Sequence, residues 1–355
     1  MSRNRTAVPT PTPWDRRAVL GLTLGAASLA LPAPARAQAQ EVHQEALTFI
    51  RIGTGPSAET LYGLGTAISA GISRPPGGSP CDEGGICGVP GLIAVAQSRG
   101  GSLQNIRDMR DGLLESALVH ADMAYWAYTG SGPFSEDLGV PDLRVIANLI
   151  PVSLHIVVRA DSGIDSIRAL RDKVVSLGGP GSGTTRFANM LLRLHGLTRA
   201  DIHPLSLPSG VAADLLVQGE IDALFEMGAP PIDAISELRD EVDIRLLPIE
   251  TNALQTLLGF FPFLRSAPFN PALYHIQEEP FKTVKLGVQW VVRSTMDTGL
   301  VEAITKALWR SDTADVFNLN NPGHTFPTVT EGMEKGLIPF HPGAQAYYDS
   351  LLPSG

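Results

Sequence analysis

The sequence predicts an α/β protein whose parallel-type sheets are flanked by helices and gathered into two lobes around a cleft. Three observations carry this. Short β-branched runs alternate with helical periods along most of the chain. Three predicted strands run out into glycine-containing turns, at 53–57, 100–102 and 178–184, and ligands of open α/β sheets sit at such carboxyl ends. Two extended segments, near 150–158 and 284–292, suit two crossings between lobes, a layout able to close over a small ligand. With 355 residues, 44% of them hydrophobic, the chain can build two lobes and a large core without a disulfide framework.

The N-terminus reads as a targeting segment. Arg16-Arg17 precede an apolar run over 18–33, and Ala35-Arg36-Ala37 is a small-residue cleavage site, so residues 1–37 are expected to be a signal peptide. The run is short for a membrane span. The paired arginines suit the twin-arginine route, a plain secretory signal is the alternative, and both predict export. The whole chain carries −9. Residues 1–37 hold five Arg and one Asp, and removing that +4 leaves −13. A protein so acidic is a poor partner for nucleic acid or anionic lipid.

The first strand is expected over 47–52, ending in Gly53-Thr54-Gly55-Pro56-Ser57, and the next helix carries Leu61, Leu64, Ile68 and Ile72 on one face. Thr54, Gly55 and Tyr62 are candidate ligand contacts there, with a half-buried packing role as the alternative for Tyr62. A Pro/Gly loop over 74–89 holds both cysteines, Cys81 and Cys87. In an exported chain so close a pair reads as a small disulfide loop; a metal site is the rival, with no local His to complete it. A strand over 92–96 ends at Gly100-Gly101-Ser102. Ser102 suits a helix cap or a ligand contact, and Asn105 follows in the first turn.

A strand over 116–120 leads to the aromatic helix 122–128. Asp122 is either its cap or, with Tyr125 and Trp126, part of the cleft mouth; aromatics at this spacing also suit core. Strands are expected over 143–149 and 154–158, a short helix over 162–170, a strand over 173–177, a helix from Ser209 to 218, a buried strand over 221–225, a helix over 232–238 and a strand over 284–292. Helices over 300–309 and 330–348, broken by prolines at 338–343, close the chain.

The stretch Leu177 to Asn189, LGGPGSGTTRFAN, organises the rest. A strand breaks at glycines, and Ser182, Gly183 and Thr184 open a helix stopped by Gly196. The first N–H groups of a helix lack intrahelical partners and, with the helix dipole, favour an anion. An ordinary capped helix is the plainer alternative. The turn lacks a Gly-Lys-Ser/Thr ending, a G-x-G-x-x-G pattern and a G-x-S-x-G elbow. A carboxylate or similar small anion therefore suits it better than a pyrophosphate.

No H-E-x-x-H, paired-cysteine metal motif or Asp-rich loop appears, and the eight histidines are scattered. The expectation is a binding protein and not an enzyme, without metal or cofactor. An exported enzyme and a sensor-partner protein on the same architecture stand as alternatives.

Five motifs in order resemble a known family. They are Gly53-Thr54-Gly55 followed by Leu61-Tyr62-Gly63-Leu64-Gly65; Gly101-Ser102-Leu103-Gln104-Asn105; Asp122-Met123-Ala124-Tyr125-Trp126-Ala127-Tyr128; Gly179-Pro180-Gly181-Ser182-Gly183-Thr184; and Ile338-Pro339-Phe340-His341-Pro342-Gly343-Ala344 with Tyr347-Tyr348. The family is the TAXI group of solute receptors from tripartite ATP-independent periplasmic (TRAP) transporters, and the likeness spans essentially the whole chain after the leader. Leu61 stands where the family commonly has a first Tyr, and Pro56-Ser57 replaces a more glycine-rich turn. The cysteine loop looks like an insertion of one subgroup.

The resemblance implies a type II periplasmic-binding-protein fold, with lobe I at 41–152 and 291–355 and lobe II at 153–290. It implies a periplasmic monomer that hands a small organic anion or amino acid, glutamate- or 2-oxoglutarate-like, to a TRAP membrane permease. Ser182, Gly183 and Thr184 would hold a carboxylate, Thr54 and Gly55 would face them, and Tyr62, Ser102, Asn105 and Asp122 would orient the ligand, Asp122 by pairing with an ammonium.

Overall fold

The computed structural model describes residues 47–352, except 58–59, 80, 86, 137–138, 180–181 and 277–279. The signal peptide and cleavage site expected from the sequence, together with Pro180 and Gly181 of the organising turn, lie outside the described residues. The first half of the chain runs β1 (Thr48–Gly53), α1 (Thr60–Ile72), β2 (Ser73–Arg74), β3 (Val89–Pro90), β4 (Leu92–Gln97), α2 (Ser102–Arg110), β5 (Ser116–His120), α3 (Ala121–Thr129) and β6 (Leu143–Arg159). Next come β7 (Val174–Ser176), α4 (Gly183–Leu194), β8 (His203–Leu205), α5 (Ser209–Gln218), β9 (Ala223–Gly228), α6 (Asp233–Glu241), β10 (Ile244–Leu246), α7 (Thr251–Phe260), β11 (Arg265–Phe269) and β12 (Phe281–Arg293). The chain closes with α8 (Thr298–Leu308), α9 (Ser311–Asn320), α10 (Val329–Gly332) and α11 (Pro342–Leu351).

The main sheet has the order β4-β1-β5-β12-β6-β9-β7-β8, with β10 added on β6 and β11 on β12. It is not parallel throughout. β4-β1-β5 is one parallel set and β8-β7-β9 is another. The long strands β6 and β12 pair antiparallel with each other and join the sets, β12 to β5 and β6 to β9. The two extended segments are thus a two-stranded antiparallel ribbon.

Residues 143–149 and 154–158, expected as separate strands, are one strand of 17 residues. Pro151 lies within it, opposite Gly287, and the register shifts immediately after, between Gly287 and Gln289. A proline donates no ladder hydrogen bond, so a sheet tolerates it beside such an irregularity. The helix expected over 162–170 is two short 3-10 turns at Ala160–Ser162 and Ile167–Leu170. Elements β2, β3, β8, β10, β11, α7 and α9 went unanticipated.

Most buried apolar side chains form one cluster, running from Ile50, Ile52, Leu64 and Ile68 across Val152 and Trp290 to Phe187 and Leu191. A smaller one lies around Val157, Leu216, Leu224, Leu238 and Tyr274. Helix α1 buries Leu61, Leu64, Ile68 and Ile72, the face its spacing predicts. A Cβ at Gly71 would strike the hydroxyl of Thr313, so glycine lets α9 cross here. Cys81 and Cys87 are joined as a disulfide.

Candidate functional site

The carboxyl ends of β1, β4 and β5 meet the start of α4 and the end of β9 at a cavity of about 210 Å³. Gly55, Gly101, Ser102 and His120 line one side of it, and Ser182, Gly183, Thr184, Arg186, Ser209 and Glu226 the other.

The α4 wall follows from its sequence. Gly178 has φ +92°, and a Cβ there would lie 2.6 Å from the Cβ of Thr184, so only glycine turns the chain so tightly into the helix. Ser182 caps α4, its Oγ accepting from the Thr185 N–H at 3.3 Å. The Thr184 hydroxyl is buried and accepts from the Met227 N–H at 3.2 Å, tying α4 to β9. A Cβ at Gly183 would lie 3.5 Å from Nδ1 of His120, so the helix start faces the end of β5 across the cavity.

On the opposite side, Gly101 rather than Ser102 occupies the cap position of α2, with φ 102°. The Ser102 Oγ instead accepts from the His120 N–H at 3.0 Å, locking the α2 start to the end of β5. Thr54 is fully buried behind the wall. Its hydroxyl donates to the carbonyl of Gln97 at 2.9 Å and its N–H donates to the same oxygen, fastening β1 to β4. Asn105 is buried one layer deeper and donates to the carbonyls of Thr54 and Leu118, both at 3.1 Å. Tyr62 is half-buried on α1, away from the cavity lining.

Of the nine candidate ligand contacts, Gly55, Ser102, Ser182, Gly183 and Thr184 therefore come together at the cavity. Thr54, Tyr62, Asn105 and Asp122 do not line it.

Asp122 is the second residue of α3, not its cap, and is fully buried. One carboxylate oxygen accepts from the Met123 N–H at 2.8 Å; the other has no hydrogen-bond partner and lies 3.7 Å from the Arg186 guanidinium. Burial pushes this carboxyl above the usual carboxylate range, against the attraction of His120 and Arg186. Burial also lowers His120. Arg186 is pulled down by burial as well, yet a guanidinium stays protonated. Its charge lies over Trp126, 4.6 Å from the ring centroid. Trp126 is core rather than cleft mouth, edge-on to Phe263 at 5.0 Å and to Phe261 at 6.4 Å.

Three chemistry-bearing residues of the lining, His120, Arg186 and Glu226, were not singled out from the sequence. Arg186 had a usable signal, being a cation two positions after Thr184 in the first turn of the helix. His120 closes a predicted strand, as candidate residues at strand ends do. Glu226 lies in β9, one residue beyond the 221–225 run read as a buried strand. Together the lining offers helix-start N–H groups, hydroxyls, one guanidinium and one carboxylate, a set able to hold an anion and to orient a second polar group. Among the described residues no group of three or more His, Cys, Asp or Glu side chains is placed to hold a metal ion.

Residues 52–350 match the NMT1-like family. Among solved structures, PhnD1 from Prochlorococcus marinus in complex with methylphosphonate is similar with a TM-score of 0.50 at 10% identity, over 79% of this chain and 92% of that one. A TctC solute binding protein from Polaromonas gives 0.46 at 16% identity, over 79% and 90%. The periplasmic aliphatic sulphonate binding protein SsuA from Escherichia coli gives 0.43 at 15% identity, over 85% and 78%. The architecture is the α/β periplasmic-binding-protein fold.

Proposed function

The chain belongs to the NMT1-like family, and we propose that it is an exported solute-binding receptor, of the TAXI type, that delivers a small organic anion or amino acid to a TRAP membrane permease. The observation that carries this reading is the convergence of three glycine-bearing strand exits on one cavity, with the N-terminus of α4 on one side and the α2–β5 junction on the other. A ligand carboxylate at the Gly183 and Thr184 N–H groups gains the helix dipole and the Arg186 charge, local attractions that act against the negative field of the whole chain. Glu226 suits a ligand ammonium, in the role first assigned to Asp122.

In this reading residues 1–37 are the signal peptide, 41–152 and 291–355 form lobe I, and 153–290 form lobe II. The β6–β12 ribbon then carries the hinge, and a monomer closes over its solute in the periplasm. Receptor work requires binding without chemistry, so enzyme activity, metal and cofactor have no part in this reading. The test is mass spectrometry of whatever the purified protein releases on denaturation, followed by return of that compound to the refolded protein. A carboxylate-bearing solute recovered unchanged supports the reading; a compound converted during incubation would move the protein to the exported-enzyme class.

A further inference from the structure

Helix α9 lies along α1 and carries the chain to the flank of the candidate cleft. A Cβ at Gly63 would strike the side-chain oxygen of Asn321, as one at Gly71 would strike Thr313. Two glycines of α1, about two helical turns apart, therefore seat the two ends of α9. At the second end, the Asn321 N–H and its side-chain Nδ2 both donate to the Phe317 carbonyl at 2.9 Å. The turn that follows is Asn321-Pro322-Gly323-His324, closed by the His324 N–H donating to the Asn321 carbonyl at 3.1 Å. Proline in second place and a glycine with φ +89° in third are the type II pattern, so this turn is stiff by sequence. Its exit is pinned as well. The Phe326 N–H donates to Asn318 Oδ1 at 2.9 Å, and the buried Phe326 ring packs edge-on against Phe317 and Trp309.

The turn reaches from the β4-β1-β5 half of the sheet to the β8-β7-β9 half. A Cβ at Gly323 would lie 3.2 Å from Cγ of Pro231, in the loop after β9. The half-buried His324 ring meets the carbonyl of Pro231 and the carboxylate of Asp233; burial lowers its pKa against the attraction of both. The seat is as firm as the turn. Ile232 donates its N–H to the Tyr274 hydroxyl at 2.8 Å, and that hydroxyl bonds His155 of β6 at 3.0 Å. Turn and seat stand beside the candidate cleft. Leu61, two residues before Gly63, and Met227, four before Pro231, both line it.

We propose that the turn 321–324 is a latch between the two halves, seated on Pro231, and that the cleft opens only when it lifts away. A stiff turn on a stiff seat cannot stretch to follow a moving partner, so movement of one half against the other breaks the contact as a unit. The latch holds the α1 side of the cleft. Arg186 over Trp126 holds the α3 side, and the β6–β12 ribbon is left to bend. The latch rests on the receptor reading for its purpose, since a cleft that admits a solute must open.

Pulsed electron paramagnetic resonance tests it, on protein refolded free of solute and spin-labelled at Thr66→Cys on α1 and Glu237→Cys on α6. Both positions are exposed, and the chain's own two cysteines are bonded to each other and take no label. His324→Ala is expected to raise the longer-distance population about fivefold, the worth of one polar contact. It removes a half-buried ring from a surface turn, so its melting temperature is expected to stay near the parent's. Gly323→Val, whose side chain is driven into Pro231, is expected to raise the longer population further. Thr325→Ala, on an exposed neighbour outside the contact, is expected to match the parent. The parent's distribution in both His324→Ala and Gly323→Val, or an equal rise in Thr325→Ala, would overturn the latch. No solute enters this measurement, so such a failure is distinct from the failure to recover a solute that would overturn the receptor reading.

Discussion

The guanidinium of Arg186 spans from α4 to the face of Trp126 on α3, 4.6 Å from the ring centroid and 3.7 Å from the buried carboxylate of Asp122. The two halves of the sheet are bridged here by a cation, a ring and a carboxylate that all lie beside the candidate site.

The first prediction concerns the carboxylate. Burial raises the folded pKa of Asp122 above its unfolded value, so the native state holds the proton more tightly. Its contribution to stability is then most favourable below the unfolded carboxylate pKa and is lost as pH rises through the raised value. Asp122→Asn removes that loss. The melting temperature of the variant, relative to the unaltered protein, is expected to increase between pH 4 and pH 8. A difference that stays flat across this range would mean that Asp122 titrates as an exposed carboxylate does.

His155 gives the opposite slope. It is buried, its Nδ1 bonds the carbonyl of Ser153 and its Nε2 bonds the Tyr274 hydroxyl, each at 3.0 Å. Burial lowers its pKa to about 4. The neutral ring contributes its full stability above about pH 6.5, the unfolded value, and loses it as pH falls toward 4, a loss of up to about 3 kcal/mol. Chemical denaturation at pH 7 and pH 4.5 measures it. His155→Gln is expected to be less stable at pH 7 but to lose less on acidification; an unchanged acid loss would assign the effect to other groups.

How far the chain could be read in advance depends on whether the physics was local. The α4 start was legible because a β-branched run, a glycine turn and a Ser cap are neighbours in sequence. The buried face of α1 was legible for the same reason of spacing. Pro151 split β6 in two because the Gly287 that lies opposite it, and the irregular register beside them, are far away in the chain. The weakly amphipathic α9, rich in Asp and Asn, carried too little pattern to be seen. At the candidate site, Thr54 and Asn105 have the same chemistry as Ser102 and Ser182. Which of them meets solvent and which ties carbonyls together depends on how strands stack, and no spacing reports that. Arg186 and His120 meet only because the start of α4 and the end of β5, some sixty residues apart, lie at one place.

The cysteine loop supplies a third prediction. Cys81 and Cys87 are bonded and there is no free cysteine. Thiol labelling of denatured, unreduced protein is expected to find none. The loop closes six residues of sequence separation, so replacing both cysteines by Ser is expected to cost about 2 kcal/mol in chemical denaturation, at the low end for disulfides. Free thiols in freshly isolated protein would refute the bridge, and a much larger cost would mean that the loop packs as part of the core.

The last prediction separates a ligand site from a capped helix at α4. If the Gly183 and Thr184 N–H groups hold a carboxylate, the Ser182 hydroxyl adds a bond to the same charge. Ser182→Ala should then lose about 1.5–3 kcal/mol of binding, roughly tenfold to a hundredfold in affinity for the released solute. Its fold should survive, because the 3.3 Å cap to Thr185 is worth only about 1 kcal/mol. Gly183→Val tests the approach to the backbone. A Cβ there is an ordinary contact with His120 at 3.5 Å, so the valine methyls project into the space a ligand would need while the helix start stays intact. Binding is expected to fall further than in Ser182→Ala, with a melting temperature within a few degrees of the parent. Thr184→Val is the contrast: it leaves the Met227 N–H without its acceptor, so it should lower stability by about 1–3 kcal/mol. Calorimetric titration beside thermal melts resolves the three variants. Normal affinity in both Ser182→Ala and Gly183→Val would make the turn a cap alone and put the solute elsewhere.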